Sequence, residues 1–236
     1  MIMSTIELNL QAVREAIAQA ALEARRPSAD VTLLAVSKTF GADAVLAAAR
    51  AGQTAFGENY LQEALDKIAA VQLALPQGAL AWHFIGPIQS NKTRPIAEHF
   101  DWVHTVEREK IAARLSEQRP AGLPDLNICL QVNISGEASK SGVTPAELPA
   151  LARAVAQLPR LRLRGLMAIP EPETELLRQR AAFAQLRALY EQLNADGLAL
   201  DTLSMGMSAD LRAAVLEGAT IVRVGSAIFG ARDYSN

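Results

Sequence analysis

With 236 residues, half of them hydrophobic, the chain can bury a sizeable core, either as one large domain or as two small ones. Its formal charge of −2 gives no electrostatic pull toward nucleic acid or acidic membranes. The single cysteine, Cys129, lies in the apolar run "LNICLQV" as a core residue and fits a reducing, cytoplasmic compartment; "MIMSTIELNL" carries an early Glu7 and lacks the basic start of a secretory signal.

Ser4-x-x-Glu7 has the form of a capping box, and behind it Ile6, Leu10, Val13, Ile17 and Ala21 recur at helical spacing, which predicts an opening helix to about Arg26. Short apolar runs then alternate with longer helical patterns. The runs read as strands lie at 33–36, 54–56, 82–84, 102–104, 126–132, 163–166, 202–203 and 221–224. Helical patterns lie near 42–51, 60–72, 93–98, 107–118, 146–157, 174–195 and 209–217. Strands separated by helices argue for parallel pairing. Eight such units in a chain of this length favour a closed (β/α)8 TIM barrel with an extra N-terminal helix over an open doubly wound sheet. No low-complexity linker or composition shift divides the sequence, so residues 1–236 are expected to form one domain. The longest uncharged stretch, between Lys67 and Lys92, is broken by Pro76, Gly78 and Pro87 and is no membrane span.

In such a barrel the functional groups sit just after the strands, at the C-terminal mouth. The segments there are "SKT", "GENY", "HFIGPIQSNK", "HTVE", "NISGEASKSG", "MAIPEPE", "SMGMS" and "RVGS", whereas those before the strands look like plain surface turns. Three features go beyond ordinary strand ends. Lys38 closes an apolar strand and is the only one of five lysines to do so; removed from water, an amine there gives up its proton more readily. "SMGMSADL" places Ser208 at the expected start of a helix, as an N-cap or as part of a phosphate site. "VRVGSAIFG" embeds Arg223 in an apolar strand, where a guanidinium needs a partner, and follows it with Gly225, which lets a ligand approach the backbone. An amine, a phosphate cradle and a buried guanidinium suit an aldehyde cofactor with a phosphate tail, namely pyridoxal 5′-phosphate (PLP); a generic phosphosugar barrel is the other reading.

"LLAVSKTF", "FGENYLQEALDK", "WHFIGPIQSNK", "VNISGEASKSG", "LRGLMAIP" and "SMGMSADLRAAVLEGATIVRVGSAIFG" closely resemble the pyridoxal phosphate homeostasis proteins of the PROSC or YggS type, in order and over nearly the whole chain. The resemblance implies a single barrel similar to the N-terminal domain of alanine racemase. It implies that Lys38 carries PLP as a Schiff base, that Ser208, Gly225 and Ser226 hold the phosphate, and that Arg223 faces the pyridine nitrogen. Asn59, His83, Ser204 and Met205 fall in motifs that line the family's pocket. An always-protonated arginine at that nitrogen weakens the ring as an electron sink, which suits holding the cofactor better than stabilising a carbanion.

Two functions follow from the resemblance. One is a non-catalytic protein that stores PLP or delivers it to apo forms of PLP enzymes; the other is an amino-acid racemase. Racemisation needs a base on each face of the substrate, and in alanine racemases the second is a tyrosine from an appended domain. This chain ends a few residues past its last expected strand. Of Tyr60, Tyr190 and Tyr234, only Tyr60 is placed to approach the mouth. The carrier is the favoured reading, and a monomer is the expected state. Lys140, in the small-residue loop "SGEASKSG", is either a solvated lysine or a second amine that passes the cofactor on. "GPIQSNKT" lacks the glycine that a phosphate-binding P-loop needs directly before its lysine, which removes nucleotide hydrolysis.

Overall fold

The computed structural model describes residues 4–136 and 141–231. Helix α1 (Thr5–Glu23) opens with the capping box expected of Ser4 and Glu7: Ser4 Oγ accepts the Glu7 N–H at 3.2 Å, and the Glu7 carboxylate accepts the Ser4 N–H at 3.4 Å. The helix stops three residues before Arg26 because Arg25 takes a φ of 56°, a left-handed turn that ends α-helical geometry.

Eight strands follow: β1 (Thr32–Val36), β2 (Ala55–Glu58), β3 (Ala81–Phe84), β4 (Trp102–Val106), β5 (Leu126–Gln131), β6 (Leu161–Met167), β7 (Thr202–Ser204) and β8 (Ile221–Val224). Each is joined to the next through a helix: α2 (Ala42–Arg50), α3 (Leu61–Ala74), α4 (Thr93–His99), α5 (Glu109–Gln118), α6 (Leu148–Ala156), α7 (Leu176–Ala195) and α8 (Leu211–Leu216). The strands pair in sequence order, all parallel, and β8 closes on β1. This is the (β/α)8 barrel that the sequence pattern predicts. A short helix α9 (Ser226–Phe229), absent from that expectation, follows β8.

Strand alternation sorts the side chains. Leu33, Ala35 and Phe56 point outward and join the large apolar layer between barrel and helices. Leu34 is in register with Arg223 and faces the interior, where Leu34, Ala55 and Ile221 form a small separate cluster with Ile85 and Trp102 at its edge. Barrel interiors are ordinarily filled by layers of branched aliphatics. Here that filling is reduced to a few side chains, and polar groups occupy the rest.

α1 lies outside the barrel, across the seam between β1 and β8. Its buried face carries Leu10, Val13, Ile17, Ala20 and Ala21. Asn9 Nδ2 donates to Ile228 O at 2.9 Å, and just past the helix Arg26 Nη1 donates to Ala219 O at 2.9 Å. Among the described residues no helix is long and apolar enough to cross a membrane.

Candidate functional site

The mouth is built most densely where β7, β8, β1 and β2 adjoin. β1 and β8 lie side by side up to their ends, Ala35, the next-to-last residue of β1, standing opposite Val224, the last of β8. A Cβ on Gly225 would stand 3.1 Å from Val36 O, so a side chain there would press against the end of β1. Lys38 lies two residues beyond β1, on the same alternation as Leu34 and Val36, and is half-buried. It occupies a tight turn in which the Phe40 N–H donates to Ser37 O at 3.1 Å and Thr39 takes a φ of 69°. That left-handed conformation is unfavourable for a β-branched residue. The Phe40 ring packs on Phe229 of α9, centroids 5.2 Å apart, and so joins the turn after β1 to the turn after β8.

Outward from that turn lies a buried charged cluster that sequence reading missed. Glu58, the last residue of β2, and Lys67 of α3 are both buried, and Lys67 Nζ is 2.6 Å from Glu58 Oε1. Lys67 Nζ also donates to Glu63 Oε1 at 2.9 Å and to Ser37 O at 2.8 Å, which uses all three ammonium protons. Ser37 Oγ donates to Glu58 Oε1 at 2.6 Å, and the Thr39 N–H donates to Glu63 Oε1 at 2.7 Å. Burial raises the pKa of Glu58 above the usual carboxylate value, against the opposing pull of Lys67. The separation of Glu58 and Lys67 by nine positions is no helical or strand repeat, so only the fold of β2 onto α3 brings them together.

Arg223 enters the interior from β8 and is buried. Its Nη1 donates to Ser204 Oγ at 2.8 Å and its Nη2 to Ala168 O at 3.0 Å. Among the described residues no carboxylate lies within ion-pair distance of it. Burial lowers its pKa to about 10, which still leaves it charged at neutral pH. Ser204 Oγ is shared with His104 Nδ1 at 2.7 Å, and His104 Nε2 meets His83 Nδ1 at 2.8 Å. The His83 ring stacks on Trp102, centroids 5.2 Å apart and planes nearly parallel, and Arg164 Cζ sits 4.6 Å over the Trp102 ring. A column of polar and aromatic groups thus links Arg223 to Arg164. Burial depresses the pKa of His83 to about 3; His104 is lowered by burial and further by His83 and the Arg223 charge, so both rings are neutral. His83 is therefore interior and reaches Arg223 only through His104 and Ser204.

The remaining expected residues lie around this centre. Asn59, just past β2, lines a cavity of about 360 Å³ with Ile85, Gln131 and Ile169, and its Oδ1 is buried without a hydrogen-bond partner. Met205 is fully buried. Gly206 takes a φ of 94°, and its carbonyl accepts the Arg223 N–H at 2.9 Å. Ser208 departs from expectation. It is exposed and precedes α8 by three residues, while Asp210 stands at the N-cap position and accepts the Met207 N–H at 2.6 Å, folding a turn in front of the helix. Ser226 opens α9 and is exposed. Lys140 and Tyr234 lie outside the described residues.

These residues fit a cofactor with an aldehyde, a phosphate and a ring nitrogen. An amine follows β1, a buried guanidinium with no carboxylate at ion-pair distance stands on the neighbouring strand β8, and an unpaired acceptor, Asn59 Oδ1, follows β2 on the other side. Comparison with known proteins points the same way. The family description "Alanine racemase, N-terminal domain" matches residues 8–233. The protein named "Pyridoxal phosphate homeostasis protein" of Pseudomonas aeruginosa is 67% identical over 232 residues, 98% of each chain. Its namesake in Escherichia coli K12 is 56% identical over 233 residues, 99% of each. The chain belongs to the pyridoxal phosphate homeostasis protein family. Among solved structures, PipY of Synechococcus elongatus, with PLP bound, is 38% identical to this chain, with a TM-score of 0.82 over 95% of this chain and 100% of its own. The alanine racemase of Corynebacterium glutamicum shares the fold at 17% identity and a TM-score of 0.68, matching 98% of this chain and 62% of that enzyme.

Proposed function

We propose that this chain is a single cofactor-binding barrel that holds PLP through a Schiff base to Lys38, and that it stores the cofactor and delivers it to apo-enzymes without catalysing a reaction of its own. The observation that supports the reading is the adjacency of two strands: β1, which Lys38 follows by two residues, pairs with β8, which carries the buried Arg223 opposite Leu34. When bound, the cofactor supplies an aldehyde that condenses with the Lys38 amine, forming a carbon–nitrogen double bond and releasing one water.

The chain's own residues do the rest. Arg223, held by Ser204 and Ala168, presents a fixed positive charge that disfavours protonation of a facing ring nitrogen. The neutral His83–His104 pair supports Ser204 without adding charge. Gly225, Ser226 and Ser208 sit on the loops after β8 and β7 and take the phosphate. Asn59 offers its unpaired oxygen from the β2 side of Lys38, while Met205, next to the inward-facing Ser204, packs into the outer apolar layer and supports the end of β7. A racemase would need a second acid–base group at the mouth. Tyr190 donates its hydroxyl to Leu200 O at 2.8 Å, away from the mouth, and Tyr60, at the start of α3, is 52% exposed.

Purified protein mixed with PLP should develop the visible absorption of a protein-bound imine, and borohydride should fix the adduct on Lys38. Lys38→Ala should abolish both; an unchanged band in that variant would refute the assignment. Incubating loaded protein with single amino acids in deuterated water separates carrier from enzyme. Multiple-turnover α-deuteration or chiral inversion would contradict the carrier, and transfer of PLP to an apo-enzyme in a coupled activation assay supports it.

A further inference from the structure

Lys67, Glu58 and Glu63 make no approach to the mouth, yet every bond they send toward β1 ends on a residue flanking Lys38. On the N-terminal side, Ser37 is gripped twice, through its carbonyl by Lys67 and through its hydroxyl by Glu58. On the C-terminal side, the Thr39 N–H is taken by Glu63. Thr39 is one of only three non-glycine residues with a positive φ among those described, so its conformation needs support from outside the turn. Helix α3 spaces Glu63 and Lys67 one turn apart, which lets one ammonium bind both carboxylates while its third proton reaches β1. Ion pairs that serve only stability do not require burial, and burial makes them costly. This one is buried beneath a single turn.

We propose that Lys67, with Glu58 and Glu63, is a positioning cluster for Lys38, fixing the backbone on both sides of it so that the amine meets the cofactor aldehyde in one orientation. Lys67 touches no cofactor and acts through Ser37 and, by way of Glu63, Thr39. Preorganisation of this kind raises the rate of bond formation more than the final extent of loading. The inference rests on the reading of Lys38 as the cofactor-bearing residue.

The test is the rate of imine formation when cofactor-free protein is mixed with PLP, followed by visible absorbance in stopped flow. Glu63 is a third exposed, so its replacement leaves the fold standing. Glu63→Ala removes the acceptor for Thr39, whereas Glu63→Gln keeps an oxygen there. Expected is a slowing of at least about fivefold in Glu63→Ala, a rate within about twofold of the parent in Glu63→Gln, and similar final spectra in all three. Lys67→Met should slow the reaction at least as much as Glu63→Ala. Equal rates for the two Glu63 variants, slow or fast, overturn the positioning role. Lys38→Ala is run alongside: if it retains the imine band, the reading beneath fails instead, and the two failures are told apart.

Discussion

His83 and His104 illustrate how one interior can make ordinary residues unusual. A neutral imidazole pair needs one shared proton and two further partners, and Ser204 with Arg223 supplies one end of that chain. The stability consequence has a definite sign. The unfolded chain protonates an imidazole near pH 6.5 and folded His83 resists until about pH 3, so the stability its neutral form contributes is present above 6.5 and lost as pH falls through that window. Between pH 7.5 and 5.0 this costs about 2 kcal/mol for His83 alone. His83→Asn keeps a polar group at the position and removes the titration. Urea unfolding of both proteins at the two pH values should show a loss smaller by about that amount in the variant; parallel losses would show that His83 titrates freely in the fold. The position of Lys38 just past the first strand was legible in the sequence because an apolar run leads straight into it. The cluster beneath it and the His83–His104–Ser204–Arg223 chain were not, since apart from Glu63 and Lys67 on one helix their bonded members lie from 9 to 100 positions apart and face one another only after folding.

At the scale of elements, the strands were the legible part, because each is an apolar run between helical patterns. Their ends were less so. β6 starts at Leu161, two residues earlier than its apolar run suggests, because Arg162 and Arg164 project to exposed or paired positions while the backbone already pairs with β5. α8 is shorter than its pattern because Asp210 takes the Met207 N–H and turns the chain before the helix can begin. That turn depends on Gly206. Its φ of 94° is strained for any side chain, and an added Cβ would collide with Ala214 Cβ of α8. Because Gly206 O accepts the Arg223 N–H, the collision would reach the guanidinium as well. Gly206→Ala should cost about 3 kcal/mol of stability and weaken PLP binding. Denaturant midpoints and a PLP titration check it; a loss below about 1 kcal/mol with unchanged affinity would mean that the β7–α8 turn relaxes at no expense to the site.

For the whole molecule, closure decides how the parts share stability. Every strand has two neighbours, so opening the β1–β8 seam would leave two unpaired edges and separate Lys38 from Arg223. α1 lies across that seam, and Leu10, fully buried on its inner face, packs into the layer that covers β1 and β8. Of the two tryptophans, Trp82 on β3 lies in the outer layer away from the seam, whereas Trp102 on β4 packs inside against the Leu34–Ile221 cluster. In a Trp102→Phe background the remaining tryptophan therefore reports a remote part of the barrel, while far-UV circular dichroism reports all of it. Leu10→Ala removes buried methyl groups and leaves a cavity, at a cost of about 2–5 kcal/mol. If closure makes the barrel one cooperative unit, the tryptophan fluorescence transition should move to lower urea by as much as the dichroism transition. A fluorescence midpoint that stays put while dichroism shifts would mean that the seam opens by itself. In that event the same variant would lose PLP at urea concentrations where β3 and β4 remain folded, and cofactor release would be coupled to the α1 contact.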